Sequence, residues 1–512
     1  MNNTSKTPDK EYQLPNPMLL DRHGDKLNQE DKDYIQHLTD KLEETLNSFH
    51  VGAIVTDITI GPRVTQFEIE LDSGVKVEKI TKIQHDIAMA LEAQSIRIQA
   101  PIPGKNAVGI EVPNKKPNTV YLRPLLESKV WINSKATIPI LLGRDITGKV
   151  AMFDLAKAPH LLIAGSIGSG KNVCLNTLIM SLLFRFSPDD LKLIMVDPKV
   201  VELEMYQPLP HLVAPIVNDP VKAALALRWG MNEMDRRYMV LTKVKSKNLA
   251  AFNSRPPDPH PVLDDYGNIV PPKLPVLIII INELSDLMMS DAKDDVEMDI
   301  CRIAHKGRAV GIHLVVMTSA LRKNVITGLI KASIPTKIAF RVSDGMDSRI
   351  ILDSVGAEKL LGNGDMLFNP PGTVVLERIQ GAYISDPEIA KVIDEVSAQR
   401  AQSFDDGIFS GDDVSDGLDD ANNDDAADDT ENAEIIRAFA DKYLQPDDPI
   451  ILERALEIII NAQTVSTSYL QRKLGIGYNK AAEIIDKLEE RHIISAPLPD
   501  SPKRTILIDV GK

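Results

Sequence analysis

The sequence has only two cysteines in 512 residues, Cys174 and Cys301. That excludes a disulfide framework and a cysteine-built metal cluster, and it fits a reducing compartment. No apolar run approaches the ~18 residues of a membrane-spanning helix. The longest candidate, Leu274 to Ile281, has the length of a buried strand. The polar start, Met1 to Glu11, lacks the apolar stretch of a secretory leader. A cytoplasmic chain without a membrane span is therefore expected. Positive charge is also in deficit, with a net charge of −15. The deficit is local, however. Ser403 to Ala433 holds eleven Asp and one Glu with no Lys or Arg, so the other 481 residues sum to −3. Acidity therefore does not exclude nucleic acid as a partner of the folded parts. It marks a solvated, self-repelling tether.

What is present in quantity is apolar sequence, 43% of the chain, ample for sizeable cores. The length predicts two to four domains. The pattern is organised around Gly165-Ser166-Ile167-Gly168-Ser169-Gly170-Lys171-Asn172. The apolar run Leu161–Ala164 leads in, and Leu175, Leu178, Ile179 and Leu182 leave at helical spacing. A glycine-rich loop between strand and helix, ending in Lys, is a P-loop. Its backbone N–H groups and the helix N-terminus face the phosphates of a nucleotide, and Lys171 reaches the terminal ones. The eighth position normally holds Ser or Thr, whose hydroxyl binds Mg²⁺. Here it is Asn172.

In chain order, residues 1–28 lack periodicity and are expected to be disordered. A small α+β domain follows over 29–135. It opens with a helix on which Ile35, Leu38, Leu42 and Leu46 share a face. Paired strands over Ala53–Leu71, a helix within Val75–Ala93 and strands within Ser95–Pro113 complete it. Residues 136–400 form the P-loop domain. Apolar strands at Leu161–Ala164, Leu191–Val196, Val276–Ile281, Ile312–Met317 and Lys337–Val342 alternate with helices there. That order implies a mostly parallel sheet covered on both faces, with ligands at the carboxyl ends of the strands. The acidic tether occupies 401–433. Residues 434–512 read as a winged helix, with helices at Ile450–Ala462, Ser466–Leu474 and Tyr478–Arg491 and a wing over Ile493–Ile508.

The strand Val276–Ile281 runs into Asn282-Glu283. This has the form of a Walker B strand, in which an Asp holds Mg²⁺ through water and the next Glu polarises the attacking water. Glu283 is in place, but the Asp is Asn282, whose amide brings no negative charge.

Several longer motifs occur in a characteristic order. They include Pro101–Lys105, Val112–Lys116, Pro159–Gly165, Val196–Lys199, Asn232–Tyr238, Gly311–Leu314, Val325–Ala332, Asp347–Arg349 and Gly475–Ala482. On these the chain, from Glu30 to Lys512, resembles the soluble motor region of the FtsK/SpoIIIE DNA translocases. The resemblance implies an α domain, a RecA-like β domain and a tethered winged-helix γ domain. It also implies a hexameric ring around double-stranded DNA, ATP-driven translocation, and a role in chromosome segregation and cell division. ATP would bind at Gly165–Asn172, with Mg²⁺ directed by positions 172 and 282. Glu283 and a trans-acting Arg349 would be catalytic. Asn479, Lys480, Lys503 and Arg504 would contact DNA, and the run Lys243, Lys245, Lys247 reads equally as facing a DNA channel or as an ordinary solvated face.

The departures from the family pattern are specific. Asn172 and Asn282 replace metal-directing residues, and Thr318-Ser319-Ala320-Leu321 stands where the family has Thr-Gln-Arg-Pro. Glu483 lies where an Arg is common. Metal stabilisation of a transferring phosphate is worth several kcal/mol, so losing both groups would slow turnover by roughly a hundredfold to ten-thousandfold. Three readings follow. One is a working duplex-DNA translocase. The second is a nucleotide-binding relative with impaired hydrolysis, acting as a structural or regulatory subunit beside an active paralogue. The third is a winged-helix DNA-binding protein on a RecA-like scaffold.

Overall fold

The computed structural model describes residues 12–24, 32–256, 262–264, 269–373 and 375–409. Towards the C-terminus it describes 455, 464–465, 478–491, 493–495, 504–505 and 507. The chain divides into two units, 1–414 and 415–512. Each is described by itself.

The first unit begins with a small four-stranded antiparallel sheet. Its strands are β1 (Ala53–Ile60), β2 (Val64–Leu71), β3 (Arg97–Gln99) and β4 (Val108–Pro113), in the order β1-β2-β4-β3. The helix Lys32–Ser48 covers it, burying Ile35, Leu38, Leu42 and Leu46, the stripe expected from the sequence. Within Val75–Ala93 there are two short helices, Val77–Lys82 and Gln84–Ala90. Their Ile80 and Ile87 join Leu42, Phe67, Ile69 and Ile110 in a separate hydrophobic core.

The larger sheet has nine strands: β5 (Pro139–Asp145), β6 (Val150–Asp154), β7 (His160–Ala164), β8 (Leu191–Val196), β9 (Val276–Asn282), β10 (Ile312–Thr318), β11 (Thr336–Phe340), β12 (Asp365–Asn369) and β13 (Glu377–Gly381). Their order is β6-β5-β13-β12-β11-β7-β10-β9-β8. The run β8-β9-β10-β7-β11 is parallel, and the five strands expected from the sequence form it. From β11 outward the pairing is antiparallel. The order of the parallel strands, with β10 between the P-loop strand and the Walker B strand, is RecA-like.

Burial on both faces explains the unbroken apolar strands. Leu277, Ile279 and Ile281 of β9 enter one core, and Ile278 and Ile280 enter the other. The long helix Pro220–Lys243 fills the first face through Ala223, Ala226, Leu227, Met231 and Met234. The P-loop helix Lys171–Leu183 fills the second through Leu175, Leu178, Ile179 and Leu182. Cys174 is one of its core residues, and burial pushes its thiol up to about 12. It is a packed, protonated side chain at neutral pH.

Two sequence expectations are corrected here. Residues 12–24 were expected within a disordered start, yet they pack on the P-loop domain. Leu20 is buried, Asp21 N–H donates to Glu388, Gln13 and Gln399 exchange hydrogen bonds, and His23 stacks on Tyr121 at 3.6 Å. Their contacts lie far along the chain, at Tyr121, Glu388 and Gln399, so local periodicity could not reveal them. The boundary placed at 135 moves to between Pro113 and Tyr121. Leu122, Leu125, Leu126 and Trp131 belong to the core beneath the large sheet, and Tyr383 N–H donates to Val120 O at 2.7 Å.

The two sheets are joined by a buried ionic network. Arg378 on β13 bonds Asp365 through Nε and Nη2 (3.0 and 2.6 Å) and Glu111 on β4 through Nη1 (2.6 Å). The other Glu111 oxygen takes Arg97 Nη1 at 2.6 Å. Burial alone would lower the Arg378 pKa, but the charges of Asp365 and Glu111 outweigh it and raise it.

In the second unit the helix Tyr478–Glu490 buries Ile484, Ile485 and Leu488 beside Ile493 and Ile494. Thr464–Val465 pairs antiparallel with Arg504–Thr505, and Leu507 N–H donates to Ile493 O at 2.9 Å. The acidic tether beyond residue 409, and the helices expected over 450–462 and 466–474 apart from residue 455, lie outside the described residues.

Removing one member of a buried charge network leaves its partners uncompensated, a loss of about 3–5 kcal/mol. Arg378→Met is therefore expected to destabilise the first unit by that amount in urea titrations followed by the fluorescence of Trp131 and Trp229. A loss below about 1 kcal/mol, the size of a surface ion pair, would show that the network does not hold the two sheets together.

Candidate nucleotide-binding site

Strand β7 ends at Ala164, and the chain turns through Gly165–Gly170 into the helix that starts at Lys171. The turn needs glycine at both ends. Gly165 has φ 156°, and a Cβ there would lie 2.7 Å from Phe340 Cβ. Gly170 has φ 112°, and its Cβ would lie 2.4 Å from the backbone nitrogen of Gly364. The loop is pinned from behind, as Gly364 N–H donates to Ser169 O (3.0 Å) and Ser166 N–H to Arg341 O (2.9 Å). Ile167 at the tip is 89% exposed.

Lys171 is 7% exposed, and its Nζ donates to the loop carbonyls of Gly165 (2.8 Å) and Ser166 (2.9 Å). Burial lowers its pKa, and the nearby Glu283 and Glu202 oppose that. The ammonium thus closes the loop on itself, within reach of an anion seated in the cup. A cleft of about 670 Å³ opens over the loop. Its walls include Gly168, Asn172, Asn282, Glu283 and, from the small sheet and its exit, Arg63 and Asn118.

The sequence-predicted residues Gly165–Asn172, Asn282 and Glu283 therefore converge on one cleft. Glu283 is held in an unusual way. Its backbone is left-handed at φ 71°, a strained conformation for a residue with a side chain. Its carboxylate accepts from Ser319 Oγ, Ser319 N–H (3.0 Å), Ser285 Oγ (2.8 Å), Thr318 Oγ1 (2.8 Å) and Lys199 Nζ (3.1 Å). Burial would raise its pKa, but these donors, Ser319 first, pull it down to about 2. A general base works best with a pKa near the working pH, and these donors hold Glu283 well below it.

The two asparagines are also engaged. Asn172 Nδ2 donates to Glu202 Oε1, and Asn282 Nδ2 donates to Asp197 Oδ1 (3.0 Å) and Glu202 Oε2 (3.2 Å). The second Asp197 oxygen takes the N–H groups of Glu202 and Leu203, both at 3.0 Å. Mg²⁺ demands oxygen ligands at about 2.0–2.1 Å in octahedral array. Asn172 and Asn282 bring no negative charge to an ion, and their Nδ2 groups take up the neighbouring carboxylates. These residues do not fit the ion that a P-loop site usually carries. Among the described residues, no cluster of three or more His, Cys, Asp or Glu is arranged to hold a metal.

Asp197, Glu202, Lys199 and Ser319 were not assigned roles from the sequence. Asp197 and Lys199 lie in a motif shared with the family and Ser319 in a departure from it, and Asp197 follows β8 and Ser319 follows β10, at the carboxyl edge where ligands sit. Arg349 does not line this cleft. It is exposed on the helix Gly345–Leu352. Lys243, Lys245 and Lys247 are exposed where the long helix ends. In the second unit Asn479 and Lys480 lie on the helix Tyr478–Glu490, and Arg504 pairs with Glu489 at 3.2 Å. Lys503, and the side chains of Asn479, Lys480 and Glu483, lie outside the described residues.

Comparison with known proteins bears on the whole chain. Residues 121–325 match the FtsK/SpoIIIE family, residues 14–114 the FtsK alpha domain and residues 446–509 the FtsK gamma domain. The DNA translocase FtsK of Haemophilus influenzae is 44% identical over 488 residues, covering 93% of this chain and 88% of that protein. The chain belongs to the FtsK/SpoIIIE family. DNA translocase FtsK of Clostridium tetani is 45% identical over 97% of this chain and 63% of its own length. DNA translocase SpoIIIE of Bacillus subtilis is 42% identical over 98% and 60%. The chain thus spans somewhat under two thirds of the length of these last two relatives. Among solved structures it is similar to the monomer form of the pCW3 conjugation coupling protein TcpA with ATPγS. The identity is 22% and the TM-score 0.48, over 70% of this chain and 99% of that one. No described helix is long and apolar enough to cross a membrane.

The Glu283 clamp has a measurable signature. Its depressed pKa contributes stability that is present above about pH 4.5 and is lost as the pH falls toward about 2. Ser319→Ala deletes one hydrogen bond to a charged acceptor, worth about 1.5–3 kcal/mol. It should raise the Glu283 titration midpoint by about one to two pH units, as read from its carboxylate ¹³C resonance. An unmoved midpoint would show that the Ser319 hydroxyl does not hold this carboxylate.

Proposed function

We propose that this chain is the motor portion of a DNA translocase acting in chromosome segregation and cell division. It binds ATP at Gly165–Asn172 and assembles as a ring, expected to be hexameric, around duplex DNA in the cytoplasm. The observation that carries this reading is the convergence of Lys171 and Glu283 on one cleft from the ends of β7 and β9, in a chain whose relatives are named DNA translocases. Arg349, which is exposed and does not line its own cleft, would serve the site of a neighbouring subunit. The γ-like domain contributes duplex contacts through Asn479, Lys480, Lys503 and Arg504, the last in competition with Glu489. The test is ATP-dependent displacement of a triplex-forming strand from long duplex DNA by the full chain. Displacement is expected and should vanish in Lys171→Ala. Failure of the unmodified chain to displace the strand, alone or beside an active family member, would overturn the reading.

The hydrogen bonds of Asn172 and Asn282 favour a second feature, slow turnover. The roles left to this chain's residues are to seat the phosphates on the loop N–H groups, to neutralise them with Lys171, and to hold Glu283 where it faces the cleft. With Glu283 clamped, proton abstraction from an attacking water is weak. Steady-state ATPase in the presence of long duplex DNA is expected to be low. Asn172→Ser combined with Asn282→Asp should raise it by about tenfold or more, since ~1.36 kcal/mol regained at the barrier is tenfold in rate. An unchanged rate in a folded double variant would place the bottleneck elsewhere, with the Glu283–Ser319 clamp as the next candidate.

A further inference from the structure

We infer that this pocket takes its nucleoside triphosphate without a divalent cation, because hydrogen bonds among Asn172, Asn282, Asp197 and Glu202 occupy the role that the cation plays elsewhere. The inference rests on the nucleotide-binding reading above. With an acid at position 282, three carboxylates would converge beside the P-loop, and like charges at that distance need a cation to be tolerated. Asn282 removes one charge. Its Nδ2 then links Asp197 and Glu202 directly, and Asn172 supplies the other Glu202 oxygen with a donor. Asp197 is fully buried and Glu202 half-buried, so both need such partners. Seating a cation on the Glu202 oxygens or on Asp197 Oδ1 would require these amides to give up their bonds.

A metal-free triphosphate carries more negative charge than its magnesium complex, and the pocket offers positive charge of its own. Lys171 stands at the base of the loop. Arg63 lines the same cleft, with its Nη2 3.5 Å from Gly362 O and its Nε buried and without a hydrogen-bond partner. An arginine fork suits phosphate oxygens, and Arg63 is part of the cleft wall.

The experiment is a titration of the full chain with a fluorescent N-methylanthraniloyl derivative of ATP, in magnesium and then in EDTA. The dissociation constants are expected to agree within about threefold, under 1 kcal/mol. A larger weakening in EDTA would overturn the inference while leaving the nucleotide reading intact, and no binding in either buffer would sink both. Asn172→Thr with Asn282→Asp should convert the pocket to magnesium-dependent binding, about tenfold or more tighter with the metal. A folded double variant still indifferent to magnesium would show that the amides are not what excludes the ion. Arg63→Ala should weaken binding in EDTA by more than about threefold, and unchanged binding would remove the arginine from the account.

Discussion

No side-chain atom fits between Gly170 and the backbone of Gly364. That close approach fixes the shape of the phosphate loop, and most of what can be said about the site depends on it. The loop is held by main-chain bonds to the turn before β12 and to the end of β11. It is held also by Lys171, whose ammonium caps two of its carbonyls. None of these contacts involves the positions at which the sequence departs from its family. An anion-shaped cup can therefore persist although the groups that usually direct a metal have become amides.

The same separation between shape and chemistry recurs across the cleft. The β9 strand delivers Glu283 to the place expected of a Walker B glutamate, yet its surroundings make it an acceptor for five donors. Ser319 supplies two of them from the end of β10. A longer side chain there, such as the glutamine usual in the family, would carry its polar group further out and leave the carboxylate with fewer close donors. The replacement at 319 and those at 172 and 282 thus act on one region, where hydrogen bonds stand in for ionic and catalytic contacts.

Much of this was legible in the residues. The apolar strands and their order gave the parallel half of the sheet, the helix stripe Ile35–Leu46 gave the cover of the small sheet, and the P-loop and Asn282-Glu283 marked the cleft. Three things were not legible. Strands β5, β6, β12 and β13 mix polar with apolar residues and pair antiparallel at the margin of the sheet, where Arg378 of β13 bonds Glu111 of the small sheet. The ordered segment 12–24 is fixed by contacts at residues 121, 388 and 399, which no local pattern encodes. The bonds from Asn172 and Asn282 to Glu202 join three separate stretches of chain, and a spacing rule relates only residues within one.

The ionic network between the two sheets also has a mechanical consequence. Asp365, which receives two bonds from Arg378, directly follows Gly364, the residue against which the phosphate loop rests. Arg378 in turn grips Glu111 in the middle of the small sheet. A pull applied to that sheet would reach the floor of the loop through one guanidinium and one peptide unit. Force and ligand occupancy would then act on the same few atoms, a short lever without a flexible joint.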